Sequence, residues 1–399
     1  MKYIKYLLLL STLVIPSTLM HGDDPGFVVG GWLAYWSAPA ALESVKQYIR
    51  SINEISPFAY EVDAEGVLIN KFFKKLPAWQ ELKTLCARHN VAVIPTILWA
   101  NTAQLHNVLS DKKKRQKHID RILSLIKQHN YKGININYER ISSHDRAAFL
   151  EFLQTLSTAL RAQKLKLYCT LGARVSDFAV QLRPDRPLEK KIAVVTKSLK
   201  PAIIDFTPVA LSPGRAQEAA HYKKTINNCC DRLYIMAYDE WGKAYYDAKN
   251  MKDKYYISLA SKQWIEKVIQ YFLSYIPAHK LVLGIPTYGL EFEITSLKSM
   301  PDDINFKKQR SVTFSQAQKI AAAHRQIPRR SSGGELCFSY LLDKKEYYVC
   351  YMDSEAIIER ISLAQKHNLK GVCLFKFDAA GDEDLMWKAL EKAKMNKLN

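Results

Sequence analysis

Residues Tyr131–Arg140 read YKGININYER. Taken as a strand, the stretch sends Ile134, Ile136 and Tyr138 to one face and Asn135, Asn137 and Glu139 to the other. Three polar side chains in a row would be costly on the inner face of a sandwich core. They suit a strand of a parallel barrel, whose outer face packs on helices while its inner face runs up to an open mouth. Glu139 then stands at the strand's C-terminal end, where barrel enzymes keep their reacting groups. A half-exposed edge strand with a solvated glutamate is the competing reading, and the rest of the chain decides between them.

From Phe27 onward, apolar strand candidates alternate with amphipathic helices, the pattern of βα units around a parallel sheet. The strands read FVVGGWLAYW (27–36), INEISPFAY (52–60), VAVIPTILW (91–99), the opening stretch, LKLYCTLGA (165–173), DRLYIMAYD (231–239), KLVLGIPTYG (280–289) and KGVCLFKFD (370–378). Between them, Ile119, Ile122, Leu123 and Ile126 form one helical stripe. Phe149, Phe152, Leu153, Leu156 and Leu160 form another, with Ser142 or Ser143 as its N-cap. Eight such units predict an α/β chain folded as a (β/α)8 TIM barrel rather than an open doubly wound sheet. The GGW of the first strand is not the GxGxxG of a dinucleotide site. Two regions exceed ordinary spacing. Residues 174–230 read as an elongated loop with extra helix. Residues 291–352 hold a helix near 313–326 and a hairpin at 335–352, a small α+β insertion between strands seven and eight over the barrel mouth. One domain over 25–395, carrying that insertion, accounts for the chain.

Residues 1–22 carry Lys2 and Lys5 followed by an apolar run from Tyr6 to Ile15, short for a membrane span and typical of a secretory signal. The cleavage site is poorly marked, so an uncleaved anchor is the other reading. The expected location is secreted, periplasmic or on the cell envelope. Lys and Arg total 58 against 39 Asp and Glu, a net charge of +19. The excess is scattered, and its densest run, Lys112–Lys117 (KKKRQK), leads into an amphipathic helix. For an exported chain this suits an anionic envelope surface better than nucleic acid. The seven cysteines show no CxxC pair or disulfide framework. Cys337 and Cys350 oppose each other if the hairpin turns at Asp343-Lys344; a disulfide and two free thiols are both compatible with that spacing.

Polar and aromatic groups gather at strand C-termini. Glu139 ends the fourth strand, Tyr238 and Asp239 end the sixth, and Trp36, Tyr60 and Trp99 end the first three. Sugar rings offer apolar CH faces and many hydroxyls, so aromatic platforms beside a carboxylic acid suit a polysaccharide groove. KGININYE (132–139) resembles the DGxDxDxE signature of glycoside hydrolase family 18, the chitinase family. MAYDEWG (236–242) resembles its sixth-strand MxYD motif, and LVLGIPTYG (281–289) is similar to its seventh strand. ISPFAYEVDAEGVL and YMDSEAIIERISLAQKHNLKGVCLFKFD resemble the branch that holds spore-cortex and peptidoglycan-directed N-acetylglucosaminidases. The likeness runs in order over residues 27–390.

The resemblance implies a substrate-assisted retaining hydrolysis of β-1,4-linked N-acetylglucosamine polymers, chitin or peptidoglycan, with no metal or organic cofactor. Glu139 matches the acid that protonates the glycosidic oxygen, while the sugar's own acetamido carbonyl attacks C1. Tyr238 matches the tyrosine that holds that carbonyl, Asp239 a polar subsite contact, and Phe375 a tryptophan that floors the cleaved sugar's site. The departures are at Lys132, Asn135 and Asn137, where the signature has Asp. Asn137 replaces the carboxylate that orients the acetamido N–H and balances the oxazolinium charge. A charge-assisted hydrogen bond is about twice as strong as a neutral one, so the loss is on the order of 2–4 kcal/mol, about 10²–10³ in rate. A slow hydrolase is therefore expected, and a silent chitinase-like glycan-binding protein is the alternative.

Overall fold

The computed structural model of the chain describes residues 26–72, 76–176, 213–240, 244–246, 255–296, 305–377 and 383–395. Eight parallel strands pair in sequence order: β1 (Val28–Ala34), β2 (Glu54–Val62), β3 (Thr96–Trp99), β4 (Gly133–Tyr138), β5 (Lys166–Gly172), β6 (Arg232–Met236), β7 (Leu281–Pro286) and β8 (Gly371–Phe375). β8 closes on β1 from Val28↔Gly371 to Gly31↔Leu374, so the fold is the (β/α)8 barrel that the alternation predicts. β3 is the short one. The segment before it gives only a two-residue strand, Ala92–Val93, paired with β2, because Pro95 has no N–H to offer a ladder.

The helices follow from their caps. Asp111 accepts the N–H groups of Lys113 (2.8 Å) and Lys114 (2.9 Å), so the basic run becomes the first turns of helix Lys112–His129. Asn130, at φ 52°, ends that helix in the left-handed region. Its buried stripe of Ile119, Ile122 and Ile126 packs inward. Ser142 accepts the N–H of Asp145 at 3.2 Å in the turn that leads into helix Arg146–Arg161.

The lower barrel interior is closed by a polar cluster at the strands' N-terminal ends. Arg232 of β6 pairs with the buried Glu54 of β2 at 2.5 Å, and the Tyr168 and Tyr234 hydroxyls donate to the same carboxylate. Burial pushes the Glu54 carboxyl up from its usual range, and Arg232 and the Tyr168 hydroxyl oppose that shift.

Between β7 and β8 the chain leaves the barrel at Gly289, two residues earlier than the sequence suggests. It forms an antiparallel sheet in the order Asn305–Val312, Gly289–Ser296, Lys345–Tyr351, Leu336–Leu342, Arg329–Arg330. Helix Phe314–Ala323 covers one face through a small core of Val312, Ala317, Ala321, Phe338, Tyr340, Val349 and Tyr351. The hairpin turns at Asp343 and Lys344, both at positive φ, and brings Cys337 opposite Cys350, both buried and not joined by a disulfide. Buried Glu335 accepts the N–H groups of Leu259 (3.1 Å) and Ala260 (2.7 Å), while buried Arg360 donates to the carbonyls of Ala260 and Gly333, tying the insertion to the barrel.

The signal-like residues 1–22 and the part of the elongated region at 177–212 lie outside the described residues; its remainder includes helix Pro213–Cys229. Among the described residues no helix is long and apolar enough to cross a membrane.

Candidate active site

β4 sorts its side chains as its alternation requires. Ile134, Ile136 and Tyr138 pack outward into the apolar core, and Asn135 and Asn137 point into the barrel. Asn135 is fully buried, donating to Thr96 Oγ1 (3.3 Å) and accepting from Thr170 Oγ1 (3.0 Å). One step higher, Asn137 donates through Nδ2 to Glu139 Oε1 at 3.2 Å. Its own Oδ1 is buried and has no hydrogen-bond partner among the described residues. Such an orphan acceptor carries a desolvation cost that an incoming N–H would relieve. Glu139 is half-buried; its backbone N–H is held by the Trp99 carbonyl (2.8 Å), and Arg140 at φ 59° turns the chain out of the strand.

The loop beyond is fixed at several points. Thr102 Oγ1 donates to the Arg140 carbonyl, and the buried Asp145 carboxylate takes Ser142 Oγ and His106 Nδ1, both at 2.6 Å. Behind the strand, buried His118 bridges the Gly66 carbonyl (2.7 Å) and the Tyr138 hydroxyl (2.5 Å). A carbonyl can only accept, so Nδ1 carries the proton and Nε2 takes the Tyr138 hydroxyl hydrogen. Burial lowers the His118 pKa to about 4, which keeps it neutral in that role.

Across the mouth, Tyr238 stacks on Phe375 (ring centroids 5.2 Å, 12°) and meets Trp32 edge-on at 6.4 Å. Gly284 makes room for them: a Cβ there would come within 3.2 Å of both the Trp32 and Tyr238 rings and 2.4 Å of the Ile235 carbonyl. Burial, reinforced by the nearby Asp239 and Glu139 carboxylates, holds the Tyr238 hydroxyl protonated well beyond its ordinary range, so it stands as a donor. Asp239, at φ 59° and exposed, accepts the Tyr288 hydroxyl at 2.5 Å. Trp36 is 49% exposed at the rim, edge-on to Tyr35 at 4.9 Å and 6.1 Å from Phe58.

Glu139, Asn137, Tyr238, Asp239, Trp36 and Phe375 therefore line one mouth. Three candidates do not. Tyr60 is 2% exposed and shares a hydrogen bond with the Tyr131 hydroxyl (2.8 Å) behind the barrel wall. A register shift between Phe58 and Tyr60 is the cause: Phe58 pairs with inward Thr96, whereas Tyr60 pairs with outward Ile97. Trp99 is 2% exposed as well, in register with outward Tyr138, edge-on to its ring at 5.4 Å and donating to Gln104. Asn135 lies beneath the site with both ends of its amide bonded, so it supports the wall rather than meeting a ligand. The aromatics packed around Phe375 instead are Trp32, Phe58 and Tyr288, at 6.0–6.1 Å, with Trp32 itself fully buried beneath the mouth. The inward parity of β1 and β2 marks the first two in the sequence. Among the described residues no three His, Cys, Asp or Glu side chains gather as metal ligands would.

The sequence profile of glycosyl hydrolases family 18 matches residues 58–380. An uncharacterized glycosylase, YvbX, of Bacillus subtilis (strain 168) is 24% identical over 396 residues, spanning 97% of this chain and 98% of that one. The spore cortex-lytic enzyme SleL of Bacillus cereus superposes with a TM-score of 0.65 at 16% identity, over 91% of this chain and 73% of that chain. A chitinase from Chromobacterium violaceum gives 0.64 at 19% identity, over 93% and 99%.

Proposed function

The chain belongs to glycosyl hydrolases family 18, and we propose that it cleaves polymers of β-1,4-linked N-acetylglucosamine slowly, by substrate-assisted retention. The observation that carries this reading is the pair at the end of β4: Glu139 at the rim, with the Asn137 amide 3.2 Å away and presenting a buried, unpaired Oδ1. An acetamido N–H placed against Oδ1 would satisfy that acceptor. The acetamido carbonyl would then face the Tyr238 hydroxyl, which donates to it as it swings onto C1. Glu139 delivers its proton to the departing glycosidic oxygen, and the same carboxylate later takes a proton from the water that opens the oxazolinium ring. The stacked Tyr238 and Phe375 rings supply an apolar floor, and Trp36 a platform at the rim. Cleavage is slow in this reading because Asn137 supplies a dipole where the cationic ring calls for a full negative charge. The same neutral amide favours a second reading, a protein that holds the glycan without cutting it. Export to an anionic cell envelope, with the chain's net charge of +19 aiding retention, belongs to the proposal in either case.

The test is mass spectrometry of the chain incubated with N-acetylglucosamine oligomers and, separately, with purified peptidoglycan. New reducing ends that disappear in Glu139→Gln, with glycan binding retained, are the expected result and name the substrate. Oligosaccharide that co-sediments intact selects the binding reading. Turnover unchanged in Glu139→Gln removes Glu139 from the chemistry.

A further inference from the structure

We propose that Cys169 and Cys230 join as a disulfide when the chain folds in an oxidising setting. Their sulfur atoms lie 3.1 Å apart, the Cys230 thiol donating to Cys169 Sγ, closer than the roughly 3.5–4.0 Å at which carbon atoms in contact rest. Neighbouring contacts hold them there. Cys169 sits mid-way along β5, in register with Leu233 of β6. Cys230 follows helix Pro213–Cys229, its N–H bonded to the Ile226 carbonyl at 3.1 Å. The next residue, Asp231, clasps the start of β5 twice: its N–H reaches the Leu167 carbonyl (2.8 Å) and its carboxylate takes the Leu167 N–H (2.9 Å). The clasp fixes the backbone beside Cys230 against the strand that carries Cys169, so little movement is left for the two sulfurs to meet or part.

The bond has to form before the barrel closes. Both cysteines are at most 1% exposed in the folded chain, and burial together with the facing thiol disfavours the Cys230 thiolate there. In the partly folded chain, the thiolate of one cysteine attacks a sulfur of a disulfide donor, forming a mixed disulfide and expelling one donor thiolate. The second cysteine, deprotonated, attacks the mixed disulfide at its partner's sulfur and expels the other. The cysteines lose two protons and two electrons, and the donor leaves as two thiols. The product closes a loop of 61 residues and is then sealed inside the protein, away from soluble reductants.

The experiment refolds the full chain from denaturant in an oxidising glutathione buffer, alkylates it under denaturing, non-reducing conditions and maps its peptides. The expected result is five alkylated cysteines of the seven, with Cys169 and Cys230 recovered as one linked peptide. A Cys230→Ser chain should lose that linkage and melt roughly 2–6 °C lower than the oxidised parent. The peptide map of the unsubstituted chain stands even if that variant folds poorly. Seven alkylated cysteines, or a linkage through Cys229 or between Cys337 and Cys350, would overturn the proposal.

Discussion

Replacing Asn137 by Asp tests the reasoning about the site most directly. Asn137 is 1% exposed and its amide nitrogen lies 3.2 Å from Glu139 Oε1, so the substitution puts a second carboxyl group against the first in a nearly dry site. In the free protein this is unfavourable. Two carboxylates that close share one proton, and a buried pair with a lost donor costs about 1–3 kcal/mol of stability. In the reaction it is favourable twice over. The shared proton is held where Glu139 can deliver it, and the remaining charge faces the developing oxazolinium cation. Exchanging a neutral for a charged hydrogen-bond partner there amounts to about 2–4 kcal/mol, or about 10²–10³ in kcat. The assay is initial-rate release of reducing ends from an N-acetylglucosamine oligomer, with the thermal midpoint of the same preparation as control. Asn137→Asp should therefore be faster and less stable. A folded variant no faster than the parent would refute the idea that the missing negative charge limits turnover.

The aromatic assignments separate by assay. Trp36→Ala should weaken oligosaccharide binding by about 1 kcal/mol, roughly fivefold, without moving the thermal midpoint, because that ring is half exposed. Tyr60→Phe should do the reverse, leaving binding unchanged while the buried Tyr131 hydroxyl loses its partner at a stability cost of roughly 1–2 kcal/mol. Equal effects of the two on binding would contradict the outward placement of Tyr60. His118, with its pKa lowered to about 4 from an unfolded value near 6.5, binds its proton more tightly in the unfolded chain. It therefore imposes no penalty above pH 6.5 and draws off stability as pH falls towards 4, by up to about 3 kcal/mol. Urea midpoints at pH 7 and pH 4.5 should differ less in His118→Gln than in the parent, and an equal difference would remove His118 as the source.

The barrel is legible in the sequence because two periods alternate cleanly, period two in the strands and 3.6 in the helices between them. β4 needs nothing more, since one glutamate at its end and two inward asparagines fix which face is the mouth. Tyr60 and Trp99 are misplaced by a different kind of inference, in which lying near a strand's end stands in for pointing inward. Trp99 faces outward because β3 pairs with β4 in the register that sets it beside Tyr138, a pairing that the local sequence does not give. Parity alone cannot correct Tyr60, because the register shift after Phe58 depends on how β2 pairs with β3, a long-range contact with no local signature. Tyr288 likewise joins the mouth through its bond to Asp239, a partner 49 residues away. The contact between Cys169 and Cys230 is invisible for the same reason, while Cys337 and Cys350 are conspicuous because a two-residue turn makes their pairing local.

The barrel closes on itself, but among the described residues the sheet between β7 and β8 ends in two unpaired edges, and an open edge is an invitation to stack with another molecule. One edge, Arg329–Arg330, is too short to template anything. The other, Asn305–Val312, is long enough, and it carries Lys307, Lys308 and Arg310 along a mostly exposed length. A second copy approaching in register would bring cation against cation. Lysines along an edge of this kind disfavour pairing with another strand, a property of the surface that concerns no substrate.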